Sequence, residues 1–123
     1  MKTKGSTLTP QELEIMKVIW QKGDATVRDV YQDLRERRKI AYTTVMTMMN
    51  VLEGKGHLKK RLDDRAYIYR PTKTAESVKR SMVREFVDRL FDGATQPLLV
   101  HLLKDRRLTK KELEDLARQI EEA

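Results

Sequence analysis

Three threonines and one asparagine are grouped between residues 43 and 50 of this sequence. Asparagine can pair with adenine through two hydrogen bonds, and threonine offers a hydroxyl to bases and a methyl to thymine. Exposed threonine and asparagine side chains usually contact only solvent. Threonine is a poor helix former, however, so three threonines at the start of one predicted helix indicate a binding role and not a contribution to helix stability. The candidate base-contacting residues are Thr43, Thr44, Met46, Thr47 and Asn50.

Groups that could bind phosphate flank this cluster on both sides. Tyr42 stands at the start of the predicted helix, beside backbone N–H groups that suit an anion. Basic side chains follow the helix, and we expect Lys55, Lys59, Arg61 and Arg65 to contact the DNA backbone. Arg65 is also placed where it could reach a minor groove. The alternative is that these charges only keep exposed strand edges soluble.

Positive charge is concentrated in the first part of the chain. Residues 1–70 contain 15 basic and 9 acidic side chains, residues 71–123 contain 11 and 10, and the formal net charge is +7. A basic module joined to a nearly neutral one is typical of a protein that binds a polyanion. A charge-rich surface without such a partner would give the same count, so charge alone does not decide.

The composition disfavours catalysis and metal binding. Cysteine is absent and there are only two histidines, His57 and His101, so a thiolate site is excluded and a histidine-rich metal site has too few ligands. The sequence lacks a Ser/His/Asp set and a phosphate-binding glycine loop, so we expect neither an enzyme nor a cofactor. It also lacks a run of 18 apolar residues and an apolar stretch after its basic start, which predicts a cytoplasmic protein without membrane insertion.

Two helices with clear starts precede the threonine cluster and must support it. Thr9, Pro10 and Glu12 form a capping-box pattern, and the helix that follows ends at Gly23. A second box begins at Thr26, and apolar residues then recur at helical spacing.

The cluster itself lies on a third predicted helix, at about residues 41–55. The buried stripe of this helix consists of Val45, Met48, Met49 and Leu52. Two short strands follow at residues 58–62 and 65–70. Three helices and a hairpin in this order predict a winged helix-turn-helix domain. Its third helix enters the major groove, and the wing at residues 58–70 lies on the backbone or in the minor groove.

The last part of the chain is predicted to form three more helices, the first from about Ala75 to Phe91 and the last after a capping box at Thr109 and Glu112. They have little to pack against by themselves, and a twofold partner would bury their apolar faces. We therefore predict a mostly α fold with a small β-hairpin, in which residues 1–71 form the winged helix-turn-helix domain and residues 72–123 a C-terminal helical dimerisation domain. The alternative is that the tail folds back on the first domain. The predicted dimer residues are Val78, Met82, Phe86, Leu90, Leu99, Leu102, Leu103, Leu113, Leu116 and Ile120.

The sequence also resembles a known family over nearly its whole length. Residues 41–71, from Ala-Tyr-Thr-Thr-Val-Met through Lys55-Gly56 to Arg-Ala-Tyr-Ile-Tyr-Arg-Pro, are similar to the penicillinase-repressor family of BlaI, MecI and CopY regulators. Residues 8–16 with Trp20 look like that family's first helix, and residues 90–93 like its linker into the tail. The resemblance implies a winged-helix repressor that binds inverted repeats of double-stranded DNA as a homodimer. It also implies a membrane metalloprotease sensor as a partner.

Three departures limit what the resemblance implies. Val51 stands where family members often have an arginine, which removes a phosphate contact from the far side of the third helix. His101-Leu102 stands where the antibiotic-resistance repressors have an Asn-Phe cleavage pair, so inactivation by that cleavage is not carried over. The cysteine cluster of the copper-responsive members is absent, which excludes copper sensing by that mechanism.

A winged helix can also serve as a protein-interaction module, in which the third helix packs on a partner protein. Binding through several phosphates weakens steeply with salt, so salt dependence separates this alternative from DNA binding. The residues themselves favour a sequence-specific DNA-binding repressor.

Overall fold

The computed structural model describes residues 8–105 and 108–122. Within these ranges the chain forms six helices and one antiparallel pair of strands, which confirms a mostly α fold with a small β-hairpin. In chain order the elements are α1 (Pro10–Lys22), α2 (Val27–Arg35), α3 (Tyr42–Gly54), β1 (Leu58–Asp63), β2 (Ala66–Pro71), α4 (Ala75–Phe91), α5 (Gln96–Lys104) and α6 (Lys110–Glu122).

Threonine caps start three of the helices as the sequence predicts. The Thr9 hydroxyl accepts a hydrogen bond from the Glu12 N–H, and the Glu12 carboxylate accepts one from the Thr9 N–H. Thr26 and Thr109 make the same reciprocal pairs with the acidic residues three positions later. Each box satisfies two N–H groups that a helix end would leave without a partner. α3 differs, since its N-cap is Ala41 and no side chain caps it.

The core of the first domain holds α3 from behind. Val45, Met49 and Leu52 of α3 are fully buried, whereas Met48 of the predicted stripe is only half-buried. α3 contacts α1, α2 and β1, and each fully buried aliphatic side chain contributes about 1.5–3 kcal/mol. The buried side chains that α1 and α2 add to this core are Ile15, Met16, Val18, Ile19, Val30 and Leu34. Because its inner face is fixed in this way, α3 presents one constant outer face.

β1 and β2 form a hairpin, which we call the wing. Leu58 pairs with Pro71 and Asp63 with Ala66, and Asp64 turns the chain with a φ of 61°. Aspartate adopts this left-handed conformation more readily than most residues, which explains its place in the turn. Ala25 adds a short bridge to the edge of β2, where its N–H donates to the Tyr69 carbonyl over 3.0 Å and its carbonyl accepts from the Tyr69 N–H over 2.8 Å.

The chain divides into two compact units between Met82 and Val83, within α4. The predicted division between residues 71 and 72 differs because the first turns of α4 pack on the first domain. Val78 is buried in the core of the first unit and Met82 packs against it. Trp20 of α1 also donates its indole N–H to the Lys73 carbonyl over 3.0 Å, which fixes the segment before α4. Val78 and Met82, which were predicted as dimer residues, are therefore part of the first unit's own core.

The second unit leaves many of its apolar side chains on the surface. Phe91 contacts Phe86 and His101, with ring centroids 6.0 Å apart in both pairs, and Val87 is buried. Leu99, Leu102 and Leu113 are half-buried. The exposed large apolar residues of this unit are Val83, Phe86, Leu90, Val100, Leu103, Leu116 and Ile120.

One buried ion pair ties α1 to the end of α3. Glu12 is 5% exposed, and the Lys55 ammonium lies 2.9 Å from its Oε1 and 3.0 Å from its Oε2. Burial alone would raise the pKa of Glu12, but hydrogen bonds from the Thr9 N–H and from Lys55, together with the lysine charge, hold it below its ordinary value of 4.5. The ionised pair therefore stabilises the fold.

We expect Glu12→Gln to lower the free energy of unfolding by about 1–2 kcal/mol at pH 7, because glutamine keeps the contact with Thr9 and loses the charged pair. A lowered pKa means that this stabilisation is complete above pH 4.5 and is lost as the pH falls through the lowered value. Urea titrations at about pH 7 and about pH 3 measure both effects. Glu14→Gln is the control, since it breaks an exposed pair with Arg38 and should destabilise the fold much less. A Glu12→Gln deficit that is equal at both pH values would contradict the assignment.

Candidate nucleic-acid interface

The outer face of α3 carries short polar side chains that point away from the core. All five predicted base-contacting residues are exposed, at positions 43, 44, 46, 47 and 50, and so is Tyr42. The Tyr42 ring packs edge-on against Tyr31 of α2, with centroids 5.4 Å apart. The first turn of α3 contains no acidic residue and no side-chain cap, so its N–H groups can face a phosphate.

A groove of about 360 Å³ separates the outer face of α3 from the wing. Lys60 and Arg65 supply positive charge along its wing side, and the Lys60 ammonium lies 4.7 Å from the centre of the Tyr67 ring. Neither cation forms an ion pair within the part of the chain that the structure describes. The groove is lined by Thr26, Val27, Tyr42, Met46, Asn50, Lys60, Arg65, Ala66, Tyr67 and Tyr69.

A hydrogen bond joins two of the residues that line this groove. The Tyr69 hydroxyl donates to Oδ1 of Asn50 over 2.9 Å. Tyr69 itself is buried, and burial, with a smaller contribution from the Glu53 charge, raises the pKa of its phenol. The hydroxyl is therefore protonated at neutral pH and serves as a donor.

The two faces of the wing carry different basic residues. Lys60 shares a face with buried Leu58 and Tyr69, whereas Lys59 and Arg61 lie on the other face. On that other face, Arg70 Nε lies 3.2 Å from Oδ1 of Asp24, and Arg61 Nη1 lies 3.7 Å from its Oδ2. The hydrogen bond from Arg70, with the charges of both arginines, holds the pKa of Asp24 below its ordinary value. Asp24 therefore anchors the wing to the α1–α2 connection.

A second, shallower cleft of about 280 Å³ lies on the α1 side of α3. It is lined by Gln11, Thr43, Thr44, Thr47 and Met48. Gln11 stands in the first turn of α1, next to the leading threonines of α3. Its amide is thus a further polar group at the edge of the outer face.

The family model for the penicillinase repressor matches residues 8–122 of this chain. The chain belongs to the penicillinase repressor family. The resemblance of the sequence to the penicillinase-repressor family is therefore confirmed.

Curated relatives align along almost the whole length of this penicillinase repressor family member. A penicillinase repressor of Bacillus licheniformis is 25% identical over 115 residues, which cover 94% of this chain and 90% of the relative. The transcriptional regulator BlaI of Mycobacterium tuberculosis is 32% identical over 113 residues, which cover 90% and 80%. The methicillin resistance regulatory protein MecI of Mammaliicoccus sciuri is 22% identical over 116 residues, which cover 94% of each chain.

A solved structure matches the first part of the chain. The solution structure of the DNA-binding domain of the repressor BlaI superposes with a TM-score of 0.54 and 28% sequence identity, and it covers 60% of this chain and 90% of that domain. The predicted winged helix-turn-helix fold is confirmed by this match and by the observed order of helices and strands.

The fold brings some of the predicted site residues together at the groove and places others elsewhere. Arg65 lines the groove with Tyr42, Met46 and Asn50. Lys55 is placed elsewhere, because its ammonium is held by Glu12. Lys59 and Arg61 lie on the opposite face of the wing, where Arg61 is 3.7 Å from Asp24 of the α1–α2 connection. The contacts of all these residues with DNA stay predictions.

The predicted site contained four of the ten residues that line the groove, and the wing residues Lys60, Tyr67 and Tyr69 are among the six that it lacked. The signal that identifies them is strand parity. Leu58 is apolar at the start of β1, so Lys60 lies on the same face as the core, and its cross-strand partner Tyr69 is followed along that face by Tyr67. Without the register of the hairpin, all basic residues of the wing look equivalent in the sequence.

Two kinds of feature are absent from the described residues, 8–105 and 108–122. They contain no group of three or more His, Asp or Glu side chains placed to hold a metal ion. None of the helices formed by these residues has the length and apolar character that a membrane span requires.

Proposed function

We infer that this chain is a transcriptional repressor that binds specific DNA sites, with the outer face of α3 in the major groove and the wing beside it. The observation that carries this inference is the exposed polar face of α3, which lies beside a groove flanked by Lys60 and Arg65, in a member of the penicillinase repressor family. The width of the major groove admits one helix, and base edges are read by short polar side chains of this kind. The alternative of a protein-interaction module has no support among the relatives.

We propose that α3 makes the base contacts, and that the start of α3 and the wing make the phosphate contacts. Thr43, Thr44, Met46, Thr47 and Asn50 read bases, and Tyr42 with the first turn of α3 holds a phosphate. Val51 is exposed and apolar, so α3 has no charged side chain at that position. Lys60 and Arg65 therefore supply the phosphate contacts nearest to the reading helix.

We further propose that two copies bind an inverted repeat through the second unit. Its exposed apolar side chains, such as Phe86, Leu90 and Ile120, are buried if a second copy packs on them. A twofold dimer presents two α3 helices to two half-sites, which matches an inverted-repeat operator. Val78 and Met82 are left out of this interface, because they pack in the first unit.

A membrane metalloprotease sensor is the regulatory partner that the family resemblance leads us to propose. The residues that replace the cleavage pair, His101 and Leu102, lie within helix α5. We propose no cleavage at this pair, since its chemistry differs from that of the pair it replaces.

Footprinting on promoter DNA upstream of its own gene, followed by gel-shift titration, tests the function. We expect Asn50→Ala to weaken binding to the footprinted site by about 1–3 kcal/mol per half-site and to leave binding to a scrambled duplex nearly unchanged, because base contacts carry the specificity. Gln32→Ala is the matched control, since it removes an exposed amide from α2. Equal losses of Asn50→Ala on both duplexes would contradict base reading by Asn50, and a wild-type chain with no footprint would contradict the function itself.

A further inference from the structure

Two of the three arginines at the end of α2 and in the turn after it are neutralised within the chain. Arg37 lies 2.8 Å from the carboxylate of Asp33, and Arg38 lies 2.9 Å from that of Glu14. Arg35 stands in the last turn of α2, where its side chain is exposed. It forms no ion pair with any other residue that the structure describes. Its charge is therefore available to an anion outside the chain.

An aromatic ring of the same helix supports the Arg35 side chain. The guanidinium carbon lies over the Tyr31 ring, 5.6 Å from its centre, which is within the range of a cation–π contact. Tyr31 is itself half-buried and packs against the core of the first domain, so its ring is a fixed platform. A guanidinium that stacks on a ring can still donate from its N–H groups, and its restricted motion lowers the entropy lost when it binds an anion.

The face of α2 that carries Arg35 is the one beside the start of α3. Val27, Tyr31 and Arg35 are spaced by four residues and therefore lie in one row along the helix. Val27 lines the groove between α3 and the wing. Tyr31 contacts the ring of Tyr42, which is the first residue of α3 and lines the same groove. The row thus runs from the groove, past the start of α3, to Arg35.

We propose that Arg35 is a further phosphate-contacting residue, which the Tyr31 ring positions on the DNA strand that borders the start of α3. In a helix-turn-helix, the helix before the recognition helix crosses the DNA backbone, and α2 takes this place here. A guanidinium can donate two parallel hydrogen bonds to the oxygens of one phosphate. Arg35 thus adds a cation near the start of α3, whereas Val51 leaves the far side of that helix without one. The inference rests on the proposed function, since it requires α3 to lie in the major groove.

Arg35→Gln should weaken binding to all DNA sequences by a similar factor, because a phosphate contact carries no sequence information. We expect the affinity of the full chain for the footprinted operator and for a scrambled duplex to fall by about 10–100-fold at about 50 mM salt, which is about three- to tenfold for each copy of a dimer. The slope of the logarithm of the binding constant against the logarithm of salt should become shallower by about 2, or one phosphate per copy. Gel-shift and fluorescence titrations measure these changes.

Arg37→Gln is the matched control. It removes the same charge two positions later in the chain, but Arg37 is already paired with Asp33. We expect this variant to keep the wild-type slope. Thermal unfolding of Arg35→Gln should match that of the wild type, because the Arg35 side chain is exposed.

The contribution of Tyr31 is tested by variants that separate charge from stacking. Arg35→Lys keeps the charge and loses the planar group, so it should keep the wild-type slope while its affinity falls by about two- to fivefold per copy. Tyr31→Phe keeps an aromatic ring under the guanidinium and should bind like the wild type. Tyr31→Leu should weaken binding, and it should do so less when Arg35 is already glutamine. That non-additivity shows that Tyr31 acts through Arg35.

The outcomes separate this inference from the function on which it rests. A wild-type slope in Arg35→Gln, an equally shallow slope in Arg37→Gln, or a loss confined to the operator would overturn the phosphate contact while the proposed function stands. Additive losses in the Tyr31→Leu and Arg35→Gln double variant would overturn the positioning by Tyr31. A wild-type chain with no footprint and no salt dependence would instead overturn the proposed function, and this inference with it.

Discussion

Raising the salt concentration from about 50 to about 200 mM is expected to lower the affinity for the operator by about 10³–10⁵. A protein that neutralises six to ten phosphates releases that many counterions, and the logarithm of its binding constant falls linearly with the logarithm of salt at a slope of about −0.9 per phosphate. Two copies of this chain, each with Lys60 and Arg65 at the groove and with the predicted contacts Lys59 and Arg61, would supply eight basic side chains, which is in this range. Fluorescence titrations of a labelled operator at several salt concentrations measure the slope.

The variant Arg65→Gln tests whether Arg65 contributes to this salt dependence of DNA binding. Arg65 lines the groove and forms no ion pair with the residues described, so its replacement in both copies of a dimer should make the slope shallower by about 2. Arg118→Gln is the control, because this arginine lies on α6 and pairs with Asp115 at 2.6 Å. A slope near zero for the wild type would favour a protein-interaction module over a DNA-binding repressor. A slope that is the same for Arg65→Gln and the wild type would remove Arg65 from the interface.

Ile120→Glu is expected to raise the dissociation constant of the dimer by about 10³-fold, because burial of an unpaired carboxylate costs several kcal/mol. Ile120 is 76% exposed within one chain, so the same replacement costs the isolated chain little. A monomer engages only one half-site, and operator affinity should therefore fall by about 10²–10⁴ along with dimerisation. Sedimentation measures the first loss and gel-shift titration the second.

Gln119→Glu is the control for this prediction, since it adds the same charge one position earlier on α6. A dimer that forms equally well in Ile120→Glu and the wild type would contradict the role assigned to the second unit. This variant is more informative than truncation near Gly93, because a chain that ends there keeps Val83, Phe86 and Leu90 of the exposed apolar set.

Local signals in the sequence predicted most helices and strands. The Thr9, Thr26 and Thr109 caps lie where the capping patterns place them, and α4 begins and ends at the predicted Ala75 and Phe91. These features succeed because a cap or a helix-breaking turn involves residues within a few positions of one another. The outward position of Thr43, Thr47 and Asn50 follows in the same way from the spacing of the buried residues of α3.

Contacts between side chains that are far apart in the sequence could not be predicted from such local signals. The sequence did not show that the Lys55 ammonium contacts the Glu12 carboxylate, 43 positions earlier. Arg61 likewise lies near Asp24, on the wing face opposite Lys60. Val78 and Met82 share the helical spacing of the exposed residues that follow them, yet they pack on the first unit. Periodicity identifies an apolar face, but it does not say which surface covers that face.

The sequence by itself determined the order of the elements, the reading face of α3 and the family, because these depend on residue types at short spacing. Only the tertiary structure decided which side chains of the wing lie beside that face. The register of β1 and β2 brings Lys60 into the groove, and the bridge between Ala25 and Tyr69 fixes the phenol that meets Asn50. Asn50 is 19 positions away from Tyr69, so their hydrogen bond exists only once the core has placed α3 and the wing side by side.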